Sequence, residues 1–366
     1  MKVLITGTEG YLGAIVAPAV MRAGMDVTAV DTGYYRSGWL YHGVDQTAPT
    51  QFKDIRQVTP QDFEGVDAVV HMAELSNDPL GQLLPHITYD INHVGSLRLA
   101  RLAKAAGVRR FVYMSSCSVY GEATGDDVTE RSAVNPQTAY ANCKVLVERD
   151  LRELADDRFS PTYLRNATAF GASPRMRFDI VLNNLAGLAW TSREIRMTSD
   201  GTPWRPLVHA NDIARAIVCA LQAPLEAVHN EVFNVGDTAQ NYRVRDIAQI
   251  VASAFPGCDL SFGDSGGDNR SYRVSFEKIS RQLPGFSCQW NAERGAAQLA
   301  ALFARIDLTR AEFESRGYTR LRQLEYLLST GQIDQDFFWT EPFSPAEPPA
   351  PVPVPVAVQA LVEQGP

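Results

Sequence analysis

KVLITGTEGYLG, residues 2–13, runs from an apolar strand pattern into a turn that carries Gly7, Gly10 and Gly13. A helical pattern follows as far as about Arg22. Glycines at this place let the backbone turn sharply and approach a pyrophosphate, which then lies at the positive N-terminus of the helix. The stretch therefore predicts a nucleotide-binding strand–turn–helix unit. A glycine motif alone also fits an ordinary strand–helix turn.

Strand and helix patterns alternate through the rest of the first half of the chain. Short β-branched runs separated by helical spacing imply parallel strands joined by helices. We therefore predict an α/β fold, with a Rossmann-type doubly wound parallel sheet. The predicted strands are residues 3–5, 27–30, 68–71, 111–115 and 162–165, and the predicted helices are residues 92–106 and 140–155.

The second half of the chain is less regular and ends in a proline-rich segment. We predict a Rossmann domain over residues 1–170, which also receives about 205–236, and a smaller mixed α/β substrate-binding region over 171–340. Residues 341–366 include PAEPPAPVPVPVAVQ, which lacks a packable pattern and predicts a disordered tail. The later predicted helices are 178–189, 211–222, 245–254, 292–306 and 310–329, and the later strands are 195–197 and 233–235.

The overall composition argues against several classes of protein. The net charge of -8 gives no general attraction to nucleic acid or to an anionic membrane. The sequence has no apolar run of membrane-spanning length and no signal-peptide core. Its five cysteines are odd in number and form no CxxC pair, so neither disulfides nor a zinc cluster is expected. We expect a cytoplasmic protein without a metal ion.

Two acidic residues follow strand patterns near the glycine turn. Asp31 ends the second strand, where a carboxylate can accept both ribose hydroxyls of NAD and repels the 2′-phosphate of NADP. It can also be a turn aspartate, because Thr32 and Gly33 follow it. Asp54 follows a third strand pattern and either binds the adenine amino group or is a solvated surface residue. Asp31 thus predicts NAD rather than NADP.

A tyrosine, a lysine and a serine have the spacing of a proton-transfer site. Tyr140 and Lys144 stand four residues apart in a predicted helix, so both lie on one face. A neighbouring ammonium lowers the pKa of a tyrosine from its ordinary value of about 10. Ser116 ends a predicted strand, where its hydroxyl can orient a substrate oxygen beside the tyrosine. Each feature is common alone, and together they predict acid–base catalysis at a carbinol.

The order of these motifs resembles that of the extended short-chain dehydrogenases/reductases, the NAD-dependent epimerase/dehydratase family. The chain is similar to the UDP-galactose 4-epimerase-like nucleotide-sugar enzymes of that family, over about residues 1–290. The resemblance implies NAD as the cofactor and a nucleoside-diphosphate sugar as the substrate. Its further blocks are HMAELSNDP (71–79), NHVGS (92–96), SSCSVYG (115–121), LRNATAFG (164–171), NNL (183–185), PWRPLVHANDIA (203–214) and FNVG (233–236).

The resemblance also assigns roles to single residues. It implies that Tyr140 is the general base, that Lys144 tunes the tyrosine and binds the cofactor ribose, and that Ser116 is the hydroxyl partner. Thr168 stands where many relatives have a substrate-binding asparagine, and Arg273 is an alternative to Arg270. The implied cofactor-binding residues are Gly7, Gly10, Tyr11, Leu12, Gly13, Asp31, Asp54, Ile55, Ala73, Asn92, Ser115, Tyr140, Lys144 and Asn166. The implied substrate-binding residues are Ser76, Ser116, Thr168, Asn184, Arg205 and Arg270.

Departures from related enzymes indicate which reaction to expect. Related 4,6-dehydratases carry Thr-Asp-Glu where this chain has Ser116, Cys117 and Ser118, so the acid and base needed for dehydration are missing. Relatives that epimerise at C3 and C5 have their cysteine at the position of Ser118, so we interpret Cys117 as a packing residue. We expect C4 epimerisation through a transient 4-keto sugar. The alternatives are a nucleotide-sugar 4-ketoreductase or dehydrogenase and, against the intact catalytic residues, a non-catalytic NAD-sensing regulator.

Three charged residues have no assigned role. Glu74 stands where relatives usually have a small residue near the nicotinamide end of the cofactor. Arg175 and Arg177 precede the NNL helix, where they either read an unusual sugar substituent or are solvated loop residues. Their roles stay open at this level.

The resemblance further implies a homodimer. Relatives commonly pair through the two helices predicted here at 92–106 and 140–155. Both segments carry small and apolar residues that can pack across a twofold axis.

Overall fold

The computed structural model describes residues 1–41, 48–76, 81, 83–123, 127–264 and 271–343. Arg270 and the part of the predicted tail from residue 344 onward lie outside the described residues. The strands are β1 (Lys2–Thr6), β2 (Asp26–Asp31), β3 (Thr50–Phe52), β4 (Ala68–His71), β5 (Arg110–Ser116), β6 (Ser160–Asn166), β7 (Thr168–Phe170), β8 (Glu194–Arg196), β9 (Trp204–His209), β10 (Glu231–Val235), β11 (Asn241–Arg243) and β12 (Asp259–Ser261).

The main sheet has seven strands in the order β3-β2-β1-β4-β5-β6-β10, and all of its pairs are parallel. Every residue of β4 and β6 is buried, as expected for strands that are covered on both faces. The strand order reverses beside β1, and such a reversal opens a crevice outside the carboxyl ends of the strands. The predicted Rossmann-type doubly wound parallel sheet is confirmed.

Two helix pairs cover opposite faces of the main sheet. Val3 and Ile5 of β1 pack in the cluster that contains α1 and α6, whereas Leu4 packs in the cluster that contains α3 and α4. The α-helices are α1 (Gly13–Arg22), α2 (Pro85–Tyr89), α3 (Ser96–Ala105), α4 (Ala139–Leu154), α5 (Val181–Ser192), α6 (Ala210–Gln222), α7 (Leu225–Val228), α8 (Val244–Ala254), α9 (Glu277–Gln282), α10 (Ala292–Ile306), α11 (Arg310–Phe313) and α12 (Arg320–Ser329). Short 3-10 helices lie at Ile55–Gln57, Pro60–Phe63, Cys117–Tyr120, Thr238–Gln240 and Arg316–Tyr318.

The helix predicted at 92–106 starts differently from an ordinary α-helix. A π-helical stretch, Asp90–Gly95, connects α2 to α3. It contains Asn92, which is fully buried and hydrogen-bonds both backbone groups of Leu75. Single π turns inside helices are often found at functional sites. Here the turn fixes the loop that follows β4.

The single helix predicted at 310–329 is wrong. The segment forms α11, a 3-10 turn and α12, with extended backbone at Ser315 and Thr319. Gly317 approaches the backbone of Gly38 so closely that a Cβ added at Gly38 would lie 2.1 Å from the Gly317 oxygen. Glycine in the middle of a helix is also unfavourable. The close contact with the residue 38 loop therefore replaces a continuous helix.

A smaller mixed α/β region packs beside the main sheet. In its three-stranded sheet, β7 is parallel to β9 and β9 is antiparallel to β11, and β8 pairs with β12 in a two-stranded sheet. Its core is formed mainly by α5, α8 and α10. Within the returning segment 205–236, β9 belongs to this region whereas β10 completes the main sheet.

The C-terminal segment packs against Phe52 at the end of β3. Phe343 lies 4.9 Å from the Phe52 ring and 4.6 Å from the Trp339 ring, measured between ring centroids. Packed structure therefore extends to residue 343, beyond the predicted start of the tail at 341. Among the residues that the structure describes, no helix is long and apolar enough to cross a membrane.

Candidate active site

A cleft of about 700 Å³ lies at the carboxyl ends of the main strands. It is lined by the glycine turn, by residues that follow β2, β4, β5 and β6, and by the start of α4. The predicted site residues that line it are Gly7, Gly10, Tyr11, Leu12, Gly13, Asp31, Asp54, Ile55, Ala73, Ser76, Ser115, Ser116, Tyr140, Lys144, Asn166, Thr168 and Arg205. The fold thus brings together the predicted catalytic residues and, apart from Asn92, the predicted cofactor-binding residues around one cavity.

The glycine turn has the form that a dinucleotide-binding site requires. Gly7 has a φ of 85°, and a Cβ at this position would lie 3.0 Å from the backbone nitrogen of Ala73. A Cβ at Gly13 would lie 2.1 Å from the Gly7 oxygen. At Gly10, in contrast, the only atom of the described residues within 4 Å of an added Cβ is the Gly7 oxygen, at 3.3 Å. Side chains at Gly7 and Gly13 would therefore clash with the protein, whereas Gly10 has more room. A turn of this form lets a diphosphate approach the N-terminus of α1.

Asp31 ends β2 inside the cleft and is positioned by two backbone amides. The Glu9 amide donates to Oδ2 at 2.9 Å and the Gly33 amide donates to Oδ1 at 2.7 Å. Burial raises the pKa of Asp31 to about 6, although the amide of Gly33 opposes that rise. The carboxylate is therefore mostly ionised at neutral pH. It has the charge expected to disfavour a 2′-phosphate.

Asp54 lines the cleft but is already strongly bonded within the protein. Its carboxylate caps the 3-10 helix by accepting from the Arg56 amide at 2.7 Å. It also accepts from Nε of Arg56 at 3.0 Å and from Nη2 at 2.8 Å. This arrangement holds the turn that places Ile55 at the cleft. A further bond from Asp54 to adenine stays a prediction.

Ser116, Tyr140 and Lys144 come from two adjacent elements at the catalytic end of the cleft. β5 ends at Ser116, whose hydroxyl oxygen accepts from the Ser118 amide at 3.1 Å. Thr138 caps α4 by accepting from the Ala141 amide at 3.2 Å. This cap starts the helix just before Tyr140. Four residues on, the Lys144 ammonium lies 5.3 Å from the centre of the Tyr140 ring.

A buried carboxylate neutralises Lys144. Oε2 of Glu74 lies 2.6 Å from the ammonium, and the Tyr113 hydroxyl donates to Oε1 at 2.8 Å. The ammonium also donates to the Met114 carbonyl. Burial alone would lower the pKa of Lys144, but Glu74 and Tyr140 more than compensate, so that the pKa is raised. Glu74, which departs from the small residue usual in relatives, is thus a direct partner of Lys144.

A second buried ion pair supports the floor of the cleft. Glu148 accepts from the Ser115 hydroxyl at 2.6 Å and pairs with Arg165 at 2.6 Å. Arg165 also donates to the Tyr120 hydroxyl at 3.0 Å, which donates in turn to Asn234 at 2.7 Å. This network was not predicted from the sequence. The sequence feature that indicates it is the spacing of Glu148, which follows Lys144 by four residues and lies on the same face of the helix.

Some predicted ligands lie elsewhere. In the described part of the chain, Asn92 and Asn184 lie outside the lining of the cleft. Asn184 donates to the Phe178 carbonyl at 2.8 Å. Arg273 pairs with Asp127 at 2.9 Å and is also outside the lining.

Arg175 and Arg177 are not solvated loop residues. Arg175 is 2% exposed, pairs with Glu9 of the glycine turn and lies 4.3 Å above the Trp39 ring. Arg177 lines the cleft, pairs with Asp179 at 2.8 Å and donates to the Ser76 hydroxyl at 3.1 Å. Loop composition favours solvated arginines, but contacts with these buried partners keep both side chains out of bulk solvent.

The chain is similar to known proteins in sequence. The model of the NAD dependent epimerase/dehydratase family matches residues 3–236. UDP-glucose 4-epimerase of Bacillus subtilis is 26% identical over 333 residues, covering 82% of this chain and 95% of that protein.

Solved structures share the fold. UDP-glucose 4-epimerase of Thermotoga maritima, solved with UDP-glucose, has a TM-score of 0.74 at 22% identity and covers 84% of this chain and 100% of its own. An NAD-dependent NDP-hexosamine 5,6-dehydratase of tunicamycin biosynthesis has a TM-score of 0.73 at 23% identity and covers 84% of this chain and 99% of its own.

Proposed function

Because the chain belongs to the NAD dependent epimerase/dehydratase family, we propose that it interconverts the C4 epimers of a nucleoside-diphosphate sugar. The observation that carries the proposal is that Ser116, Tyr140 and Lys144 line the same cleft as the glycine turn and Asp31. One cavity thus contains both a proton-transfer group and a site for NAD. The names of the relatives support the sugar nucleotide as substrate.

In this mechanism, proton transfer belongs to Tyr140. Its phenolate oxygen takes the proton of the sugar hydroxyl as the carbinol is oxidised, and the resulting tyrosine hydroxyl returns that proton when the ketone is reduced. Ser116 holds the reacting oxygen by a hydrogen bond. Lys144 stabilises the phenolate, with its own charge balanced by Glu74. NAD bound in the cleft supplies the hydride acceptor and, once reduced, the hydride donor.

The side chains after β5 disfavour dehydration. Cys117 is buried, and its thiol donates to the Arg165 carbonyl at 3.2 Å, away from the cleft lining. Burial raises the pKa of that thiol well above its ordinary value. Ser118 lines the cleft, but a hydroxyl does not act as an acid or base at neutral pH. Glu74 is held by Lys144 and Tyr113.

The test is redox balance. We expect the purified protein to convert a nucleotide sugar into its C4 epimer with NAD regenerated in each turnover, followed by NMR on a panel of nucleotide sugars. Solvent deuterium should not enter the carbon skeleton. Stoichiometric consumption of NADH, with one alcohol accumulating, would instead establish the ketoreductase. Incorporation of deuterium at C3 or C5 would contradict both the C4 epimerase and the ketoreductase.

Tyr140→Phe provides the matched variant. Loss of the general base should lower turnover by about 10²- to 10⁴-fold, while NAD binding is retained. Tyr326→Phe is the control, because Tyr326 is 37% exposed on α12 and lies outside the cleft lining in the described residues. Equal turnover in the two variants would contradict the role of Tyr140.

We also propose a homodimer that pairs through the α3 and α4 faces. Val94, just before α3, is 55% exposed, and Leu83 nearby in sequence is 63% exposed. Large apolar side chains at such exposure are candidates for contact with a second copy. A cytoplasmic location is proposed with it, because the five cysteines are unpaired.

A further inference from the structure

The C-terminal segment forms one wall of the cleft. Thr319, Arg320 and Leu321, at the start of α12, line the cavity although they follow the family-matched residues. The segment is fixed to the loop after β2, because the Trp339 indole donates to the Thr32 carbonyl at 2.8 Å and the Gln323 amide donates to the Tyr34 carbonyl at 2.9 Å.

Arg320 is buried, and among the described residues no anion is hydrogen-bonded to its guanidinium. It is 4% exposed, its backbone amide donates to Asp179 at 3.2 Å, and its guanidinium lies 3.9 Å above the Tyr35 ring. Among the described residues, its guanidinium has no hydrogen bond. The neighbouring arginines differ in this respect, since Arg177 is paired with Asp179 and Arg175 with Glu9.

The nearby Asp179 compensates the charge of Arg320 only in part. Burial, followed by the nearby Arg177, lowers the pKa of Arg320 to about 10. Arginine in this range is still protonated at neutral pH. A buried guanidinium is costly unless it is paired, and its planar donors suit two oxygens of a phosphate group. An anionic ligand in the cleft would provide that partner.

The position of Arg320 favours the cofactor end of the cleft. Tyr35, below its guanidinium, lies in the loop that follows Asp31 and is influenced by the charge of that carboxylate. Asp31 is in turn bonded to the glycine turn, since its Oδ2 accepts from the Glu9 amide at 2.9 Å. Arg320 therefore lies on the side of the turn and of Asp31, which are the expected diphosphate and ribose positions.

We propose that Arg320 binds the diphosphate of the dinucleotide, so that the C-terminal segment supplies a cofactor ligand from outside the family-matched residues. It acts together with the amides of the glycine turn. The sugar nucleotide also carries a diphosphate, and the experiment below separates the two. The proposal rests on the proposed function only in that NAD occupies the cleft.

The experiment measures binding to the full-length chain. NADH is titrated by fluorescence, and ADP, adenosine and UDP are used as competitors, with Arg320→Gln and Arg320→Lys compared with the unaltered chain. Arg322→Gln is the matched control, because it removes the same charge from an exposed position of the same helix. Melting temperatures show whether each variant is folded.

Loss of a charge-assisted hydrogen bond predicts about 10- to 100-fold weaker binding of NADH and ADP by Arg320→Gln. Adenosine, which has no phosphate, and UDP should bind as before. The affinity of Arg320→Lys for NADH and ADP should lie between those of the unaltered chain and Arg320→Gln, since lysine keeps the charge but not the planar donors. If Arg320→Gln does not fold, Arg320→Lys serves the same test.

Three results would overturn the proposal: unchanged ADP affinity, equal losses for ADP and adenosine, or a loss for UDP at least as large as that for ADP. Because the readout is binding, it is independent of turnover. A chain that binds NADH through Arg320 yet epimerises no sugar would contradict the proposed function and leave this proposal intact.

Discussion

Removing the charge of Glu74 should shift the pH dependence of catalysis. The carboxylate lies 2.6 Å from the Lys144 ammonium, which lies 5.3 Å from the centre of the Tyr140 ring. Glu74 is therefore no more than about 8 Å from that centre. At an effective dielectric constant of about 20, a unit charge at this distance changes the free energy of the phenolate by about 2 kcal/mol, or about 1.5 pH units.

The sign follows from the charge that is removed. A carboxylate near Tyr140 disfavours the phenolate, so Glu74→Gln should stabilise it and move the acidic limb of kcat/KM to lower pH by about 1.5 units. Glu74→Gln leaves the other charged groups near Tyr140 and Lys144 in place, namely Arg177 and the Glu148–Arg165 pair. The remaining titratable groups that face Lys144 are Tyr113, Cys143 and His71, which are uncharged at neutral pH. Burial raises the pKa of Tyr113 well above its ordinary value and that of Cys143 to about 12, and lowers that of His71 to about 3.

The assay is the pH profile of kcat/KM, with Glu153→Gln at the exposed end of α4 as the control. Glu74→Ala leaves the buried ammonium without its carboxylate and should cost about 3 kcal/mol of folding free energy, measured by denaturant unfolding. Glu74 raises the pKa of Lys144 in the fold, so this stabilisation is present at neutral pH and is lost only as the pH rises through the folded-state value. An acidic limb that stays in place, or moves upward, in Glu74→Gln would refute the reasoning.

Three further predictions concern cofactor choice, the C-terminus and assembly. Asp31→Ala should reduce the preference for NAD over NADP by about tenfold or more, because a carboxylate that repels the 2′-phosphate is gone, and titration with NADH and NADPH measures it. Ending the chain after Phe343 should leave the melting temperature nearly unchanged. Ending it after Gln332 should lower the melting temperature by several degrees, because the Trp339 and Phe343 contacts are lost. Equal melting temperatures of the two truncated chains would show that these contacts contribute little. Val94→Lys should convert a dimer into a monomer by light scattering at micromolar concentration, and a monomeric unaltered chain would contradict the proposed dimer.

Local patterns were sufficient for the parallel sheet and for much of the cleft. The glycine turn, the end of β2 and the start of α4 are each encoded by neighbouring residues, and parallel strands bring their carboxyl ends to one edge. Tyr140 and Lys144 meet because helical spacing fixes their relation. These features depend on short-range geometry, which the spacing of neighbouring residues in the sequence predicts.

The remaining features depend on contacts between distant segments. The break before α12 follows from the approach of Gly317 to Gly38, which no local propensity encodes. Arg175 looked like a loop arginine, but its burial depends on Glu9 and Trp39. Phe343 similarly packs on Phe52 only because the chain returns to β3. Sequence periodicity describes one element at a time and therefore cannot identify such pairs.

The Glu74–Lys144 pair shows why the motif alone does not determine the chemistry. A tyrosine and a lysine at helical spacing imply that an ammonium tunes the tyrosine, and the strength of that effect depends on the net charge beside the ring. A carboxylate at 2.6 Å converts the ammonium from a single charge into one end of a dipole, whose field falls off faster with distance. The lysine can then still position the tyrosine and donate hydrogen bonds, while it lowers the tyrosine pKa less than a lone ammonium would. We therefore expect the working pH range of this enzyme to depend on Glu74, a residue outside the catalytic motif, as well as on the motif itself.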